Sequence, residues 1–320
     1  MHYSPPLMHI PDNFLSLVVS IVSWMITAAV LGAAISKTNK SLGEKQIPLM
    51  GVMAAFIFAA QLINFPVLGG TSGHLLGGAL AAIVLGPWAG MLVMTAVIAV
   101  QALLFQDGGL VVMGANILNM GLVTSAIGYG LYRSVNQQSK MVKLTATGFA
   151  AWISVMAAAL LTALEIWLSG NANLKVILPA MLFVHIFIGL GEALITVAAV
   201  SFILKARPDL LGEGSESASA SRGWVWIGGT IALAAVLFSP FASTDPDGLE
   251  RVAIDMGFID IAASAPYEII PDYTVPILGQ TALSTIIAGA IGVIVVAAII
   301  ILVGRGLKVK SKSQIVNPKS

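Results

Sequence analysis

No Asp, Glu, Lys or Arg occurs between residues 46 and 106, and the same holds for residues 14–36, 108–132 and 277–304. Runs of this length meet a bilayer's requirement for about 20 predominantly apolar residues per helical span, in which the helix satisfies its own backbone N–H and C=O groups. Only 10% of the chain is charged and its mean hydropathy is +0.94, whereas about a quarter of a soluble domain is charged. The chain is therefore expected to be an all-α integral membrane protein.

Polar, glycine and proline breaks divide the sequence into nine apolar segments, at residues 14–36, 47–65, 73–85, 88–105, 110–132, 144–168, 176–205, 224–241 and 277–303. Seven form a core and two an accessory unit. The third is short and flanked by Gly73, Gly77, Gly78 and Gly86, the pattern of a tightly packed or broken helix whose backbone must find partners in protein or water. Whether it crosses fully is left open by the residues.

Lys and Arg accumulate in short cytoplasmic loops. With the N-terminus outside and the third segment crossing, Lys37, Lys40, Lys45, Arg133, Lys140, Lys143, Lys205, Arg207, Arg222, Arg305, Lys308, Lys310, Lys312 and Lys319 share the inner side, and only Lys175 and Arg251 fall outside. No Lys or Arg precedes the first span, so that span does not read as a cleavable signal peptide. The expectation is a multi-pass protein of the cell membrane with an external N-terminus and a cytoplasmic C-terminus.

That topology places His9 and His74 near the same outer face. Gly69, Gly70 and Gly73 around His74 permit close backbone approach, with Thr71 and Ser72 as small polar groups beside it. Met-His occurs twice, at Met1 with His2 and at Met8 with His9. As a chain terminus, Met-His offers a free amine, the backbone nitrogen of the histidine and its imidazole Nδ1, which close two fused chelate rings; His74 supplies a fourth nitrogen. A square-planar nitrogen set suits nickel(II) or copper(II), and can suit cobalt(II), better than zinc, magnesium or calcium. Of the two starts, Met8 has Pro11 and the helix cap expected at Asp12 close behind it, so less freedom is lost on binding. Residues 1–7 then read as a start-site extension or a removed segment.

The stretches "MHIPDNFLS", "GGTSGHLLGG", "QALLFQDGGLVVMGANILNMG" and "HIFIGLGEALIT" resemble, in order, the signatures of the CbiM/NikM family, the substrate-specific membrane components of cobalt/nickel energy-coupling factor (ECF) transporters. The resemblance covers residues 8–205. It implies that the amine of Met8, His9 and His74 bind the metal, and that a transmembrane coupling protein and cytoplasmic ATPases are partners. Nickel and cobalt are then transported ligands, with no catalytic cofactor. The sequence departs from the family at Asn13, where glycine is usual, and in the seven-residue prefix.

Other polar residues in these motifs are read first as structural. Gln101, Gln106, Asn116 and Asn119 satisfy neighbouring helices, with Asn116 about two turns into the fifth segment. Asp107 and Asn116 are also candidates for a second shell around the metal. His185 and Glu192 fall on one helical face, with Glu192 expected to pair or pack and Glu165 to be hydrated near an outer helix end.

Residues 206–222 are small, polar and charged and read as a cytoplasmic linker. Beyond it, residues 223–320 hold two apolar segments, a basic tail and an external loop at residues 242–276 that is rich in carboxylates, including Asp245, Asp247 and Glu250. Its "DPDGLERVAIDMGF" opens on an aspartate cap and a proline, and spaces Leu249, Val252, Ala253 and Met256 along one face of an amphipathic helix. This region resembles the PDGLE domain, the accessory partner of such metal components. The chain lacks a phosphate-binding loop, a serine-histidine-acid arrangement and cysteine, and nothing points to nucleic acid. The expected function is a substrate-binding importer component without its own ATPase. The alternatives are a membrane metalloenzyme, which needs a general base beside an open coordination position, and a passive metal channel, which needs polar rings through the core.

Overall fold

The computed structural model describes residues 9–43, 46–211 and 223–316. Met8 and the Met1-His2 pair lie outside them, as does most of the expected linker. The elements run α1 (Leu17–Ser41), α2 (Gln46–Gln61), a β-hairpin of β1 (Phe65–Val67) and β2 (Thr71–Gly73), α3 (Gly78–Leu85), α4 (Pro87–Phe105), α5 (Met113–Asn116), a π-helical stretch (Ile117–Val123), α6 (Thr124–Ser134), α7 (Lys140–Leu168), α8 (Leu174–Ala206), α9 (Gly223–Phe238), α10 (Gly248–Met256) and α11 (Ala282–Val316). Among the described residues five helices, α1, α4, α7, α8 and α11, are long and apolar enough to cross a membrane. Two more, α2 and the helix of residues 225–241, are apolar but shorter.

Helix α1 shows what solvent this fold expects. Its buried positions are Ser20, Ser23, Thr27, Ala34 and Thr38, while Leu17, Val18, Met25 and Ile35 are exposed. Small polar residues inside and large apolar ones outside suit lipid, where helices associate by close packing and interhelical hydrogen bonds. Thr27 accordingly donates to the Gly114 carbonyl at 2.7 Å. The helix is capped by Ser16, whose side chain accepts from the Val19 N–H. The expected cap, Asp12, caps something else: its carboxylate accepts from the N–H groups of Leu110, Val111 and Val112, fastening the N-terminal segment to the loop that enters α5. Asn13 next to it has φ +73°. That left-handed conformation is free for glycine and tolerable for asparagine, so the departure at this position keeps the backbone geometry.

The third segment is a helix over only its second half. Residues 74–77 are non-helical and α3 begins at Gly78. Helix α4 returns antiparallel to it from Gly86, and its far end reaches Asp107, beside His9. The 19 residues of α4 span about 28 Å, against about 12 Å for the eight of α3; the non-helical residues 74–77, with Gly77 in the left-handed region, lead into α3 and cover part of the difference. The backbone groups this exposes are taken up by side chains. Glu192 of α8 accepts from the N–H groups of Leu76 (2.6 Å) and Gly77 (2.9 Å), and Gln61 donates to the Leu76 carbonyl at 2.9 Å. Gln101 in turn donates to Gln61 at 2.9 Å. Gly77 and Gly86 have φ +85° and +82°, a Cβ at Gly73 would meet Ile188 and one at Gly78 would meet Thr124, so all four flanking glycines are required by conformation or by close approach.

The C-terminal helices do not stand apart. Both α9 and α11 pack on α2, where Gly228 meets Val52, Gly51 meets Ile301 and Gly292 receives the Phe58 ring. One hydrophobic core runs from α2 and α4 into α9 and α11. A second core lies at the opposite end of the molecule from Arg133 and Lys140, joining Ile10, Phe14 and Leu15 to Ile177, Met181 and α10 through Leu249, Val252, Ala253 and Phe258. Helix α10 buries the expected face, with Met256 at its margin. Its cap is Asp247, which accepts from the Glu250 N–H at 2.7 Å. The earlier Asp245 of the motif does not cap: the helix begins only at Gly248, and the Asp245 carboxylate accepts from the Ser243 hydroxyl instead.

Candidate metal site

Four elements converge beneath α10. The N-terminal segment brings His9, the stretch after β2 brings His74, the loop after α4 brings Asp107, and α8 brings His185. They enclose a cavity of about 60 Å³ lined by His9, His74, His185, Asn116, Asn119 and Asp247 among apolar neighbours. That volume holds an ion and a little water. The His9 and His74 rings lie 5.9 Å apart between centroids. Both histidines are buried, with 2% and 6% of their surface exposed. Among the described residues no three His, Asp or Glu side chains form a metal site by themselves.

His9 is the best-defined member. Its Nδ1 sits 2.7 Å from Asp107 Oδ1, whereas its Nε2 is buried without a hydrogen-bond partner. An orphaned buried ring nitrogen is unusual. The other Asp107 oxygen accepts from the Tyr273 hydroxyl at 2.6 Å. Burial by itself raises the Asp107 carboxyl, but the His9 charge and the bonds from His9 and Tyr273 prevail and hold it below the usual carboxylate range. Asn116 clasps the residue after His9 from both sides, its amide oxygen accepting from Ile10 N and its amide nitrogen donating to Ile10 O, each at 3.0 Å. It does so from the first turn of its helix, one turn earlier than expected, because residues 106–112 form a loop. Asp107 and Asn116 thus position His9, while Thr71 and Ser72 do not line the cavity. Ser72 instead anchors the C-terminal loop, its hydroxyl donating to Asp245 O and its N–H to Pro246 O, both at 2.8 Å.

That loop is seated along the site rather than floating above it. Ser243 N donates to Asn64 O at 2.8 Å and Ala263 N to Asp12 O at 3.0 Å. A Cβ at Gly248 would meet Ile188 at 2.8 Å and His185 at 3.0 Å, so α10 starts flush against α8. Of the loop carboxylates, Asp247 lines the cavity and Asp245 and Glu250 do not. Burial pushes the Asp247 carboxyl up to about 7 against the opposing pull of the Glu250 N–H. A cation in the cavity stabilises its ionised form. Gly248→Ala is therefore expected to lift α10 and open the cavity, read as faster hydrogen exchange in residues 248–256; unchanged exchange would mean that α10 does not rest on this contact.

Two residues have surroundings that their sequence positions do not suggest. His185, the third histidine of the quoted motifs and on one helical face with Glu192, reaches the cavity while its Nδ1 bonds Met181 O at 2.7 Å. Glu165, expected to be hydrated, is 8% exposed: Asn119 donates to it at 2.6 Å and Ser23 at 3.4 Å. The π-helical stretch turns Asn119 toward α7, a distortion that frequently marks functional sites.

Comparison with known proteins matches residues 9–210 to the cobalt uptake substrate-specific transmembrane region and residues 222–309 to the PDGLE domain. A relative from Archaeoglobus fulgidus, provisionally named a fused nickel transport protein NikMN, is 39% identical over 91% of this chain and 96% of its own length. The fused nickel transport protein NikMN of Rhodobacter capsulatus is 30% identical over 71% of each chain. The crystal structure of a truncated transition metal transporter, 36% identical, superposes on 62% of this chain and 99% of its own with a TM-score of 0.56.

Proposed function

The chain belongs to the cobalt uptake substrate-specific transmembrane family and carries a PDGLE domain behind it, and from that premise we propose that it is the substrate-binding component of an ATP-driven ECF importer of nickel or cobalt ions. The observation that carries the reading is the pair of buried imidazoles, His9 and His74, facing one small cavity under α10. Its partners are a transmembrane coupling component and cytoplasmic ATPases. Nickel is favoured over cobalt by the fused PDGLE domain and by the relatives named fused nickel transport proteins.

The ligands are the amine of Met8 when the chain begins there, the backbone nitrogen and imidazole of His9, and the imidazole of His74. The chelate closes only through His9 Nδ1, which in the resting geometry is engaged by Asp107. A half-turn of the ring about Cβ–Cγ frees Nδ1 for the metal and swings the orphaned Nε2 toward the same carboxylate. Metal-binding histidines commonly donate their second N–H to such a carboxylate. Capture then satisfies the one unpartnered nitrogen of His9.

The site end faces outward. Lys37 and Lys40 end α1, Arg133 ends α6, Lys140 begins α7 and Lys205 ends α8, all remote from the histidines, as cytoplasmic placement requires. In this reading the chain crosses nine times, residues 74–85 crossing as a short non-helical stretch followed by a helix. Residues 8–205 form the capture domain, 206–222 the linker and 223–320 the accessory domain.

Membrane vesicles holding the whole assembly test the function. Nickel or cobalt uptake is expected only with ATP, and only when this chain is present. Uptake that persists without ATP would identify a channel instead. Replacing Asp245, Asp247 and Glu250 by amides tests the loop, because Asp247 faces the cavity and the loop is docked. Uptake should collapse at every ionic strength. A mild defect that fades in high salt would reduce the loop to long-range attraction of cations.

A further inference from the structure

Building on that reading of the site, we infer that Tyr273, carried by the PDGLE domain, is a positioning residue of the metal site: its hydroxyl fixes the Asp107 carboxylate that orients the His9 imidazole. A carboxylate held by one hydrogen bond still turns about its own Cβ–Cγ bond. Here both oxygens are engaged, Oδ1 with His9 at 2.7 Å and Oδ2 with Tyr273 at 2.6 Å. The two bonds come from opposite ends of the chain.

The surrounding structure is arranged to deliver this phenol. Tyr273 is 6% exposed, its ring stacks on Phe105 with centroids 4.6 Å apart and planes 18° apart, and Phe58 meets it edge-on at 6.2 Å. The chain is anchored on both sides of it. Ile270 N donates to Leu104 O at 3.2 Å and Tyr267 OH to Leu103 O at 2.9 Å, both at the end of α4, while Val275 N donates to Ser284 Oγ at 2.7 Å at the start of α11. Between these anchors Asp272 and Tyr273 take φ values of +48° and +55°. Two consecutive non-glycine residues there, one of them aromatic, are held against their own preference. Burial beside Asp107 also raises the phenol well above its ordinary range, so it remains a proton donor.

The consequence is a direct link from accessory domain to ligand. With the C-terminal loop docked, Asp107 presents a fixed oxygen to His9 in either ring orientation. With Tyr273 withdrawn, the carboxylate swings and the imidazole loses its guide.

The test uses the chain from Met8 to its C-terminus in detergent, with nickel affinity measured by competition against a chromophoric chelator. Tyr273→Phe keeps the ring stacking and removes only the hydroxyl. Affinity should fall about tenfold, in the range typical for loss of an outer-shell partner, with thermal stability and the protection of α10 from exchange unchanged. Asp107→Asn should cost at least as much, and adding Tyr273→Phe to it should change affinity less than about twofold. Copper(II) loaded as a probe should show altered electron-paramagnetic-resonance hyperfine splitting in Tyr273→Phe. Full affinity in Tyr273→Phe would overturn the inference, and so would an equal loss in both backgrounds, which would make the tyrosine a docking contact only. Failure of the unaltered chain to bind one nickel, with no difference in His74→Ala, would overturn the reading of the site and the inference together.

Discussion

Replacing His74 with alanine is expected to cost more nickel or cobalt affinity than the roughly 10–100-fold that loss of an outer-shell partner costs at a metal site, and to leave a folded, inserted protein. The imidazole is one of four proposed nitrogens, and a square-planar metal left with three must recruit water in its place. The backbone around His74 is secured independently of its ring. Glu192 and Gln61 hold Leu76 and Gly77, the β-hairpin fixes Thr71 to Gly73, and Ile188 closes on Gly73. Metal stoichiometry by mass spectrometry and affinity by chelator competition check the outcome. Unchanged values would remove His74 from the site.

The second large effect concerns the amine. Protein made to begin at Met8 is expected to bind nickel or cobalt strongly, and a single residue fixed ahead of Met8 should abolish most of that affinity. The extra residue makes the Met8 nitrogen an amide that must lose a proton before it can bind, and it moves the free amine one residue away from His9, so the chelate of amine, His9 nitrogens and His74 cannot form. The residues that follow His9 are held firmly: Asn116 clasps Ile10, and Asp12 is fastened to Leu110, Val111 and Val112. Intact-mass determination fixes the terminus in each sample. Because the backbone nitrogen of His9 and the imidazoles must be deprotonated, affinity should also fall as pH is lowered, with proton release on binding. Equal affinity in the Met8-start protein and in full-length protein carrying His2→Ala would show that no free amine at Met8 is needed.

Much of the outline is legible in the sequence. The span boundaries fall within a few residues of the helices for α1, α4, α7 and α8, because in lipid a helix is specified by its own run of apolar residues. The apolar face of α10 was legible because four positions at helical spacing define it. The interior arrangement of the site was less so. Asp12 looked like a cap for the helix that follows it and is a fastener for a loop about a hundred residues away. Glu165 looked hydrated because its position along the helix was known and its partners were not. Ser72 looked like a neighbour of the metal and holds the C-terminal loop.

By itself the sequence determined the solvent of this protein, its helical character and the family; each depends on residue type and on spacing within one segment. Only the tertiary structure decided how a partly non-helical segment survives inside the bundle, which nitrogen of His9 is engaged, and that Tyr273 reaches Asp107. Those outcomes rest on hydrogen bonds between groups 98 to 166 residues apart in the chain, such as His9 with Asp107, Leu76 with Glu192 and Asp107 with Tyr273. A buried polar group must find some partner, and the sequence states the need. Which partner meets it depends on how helices cross, and crossing is set by the packing of small residues from several segments at once.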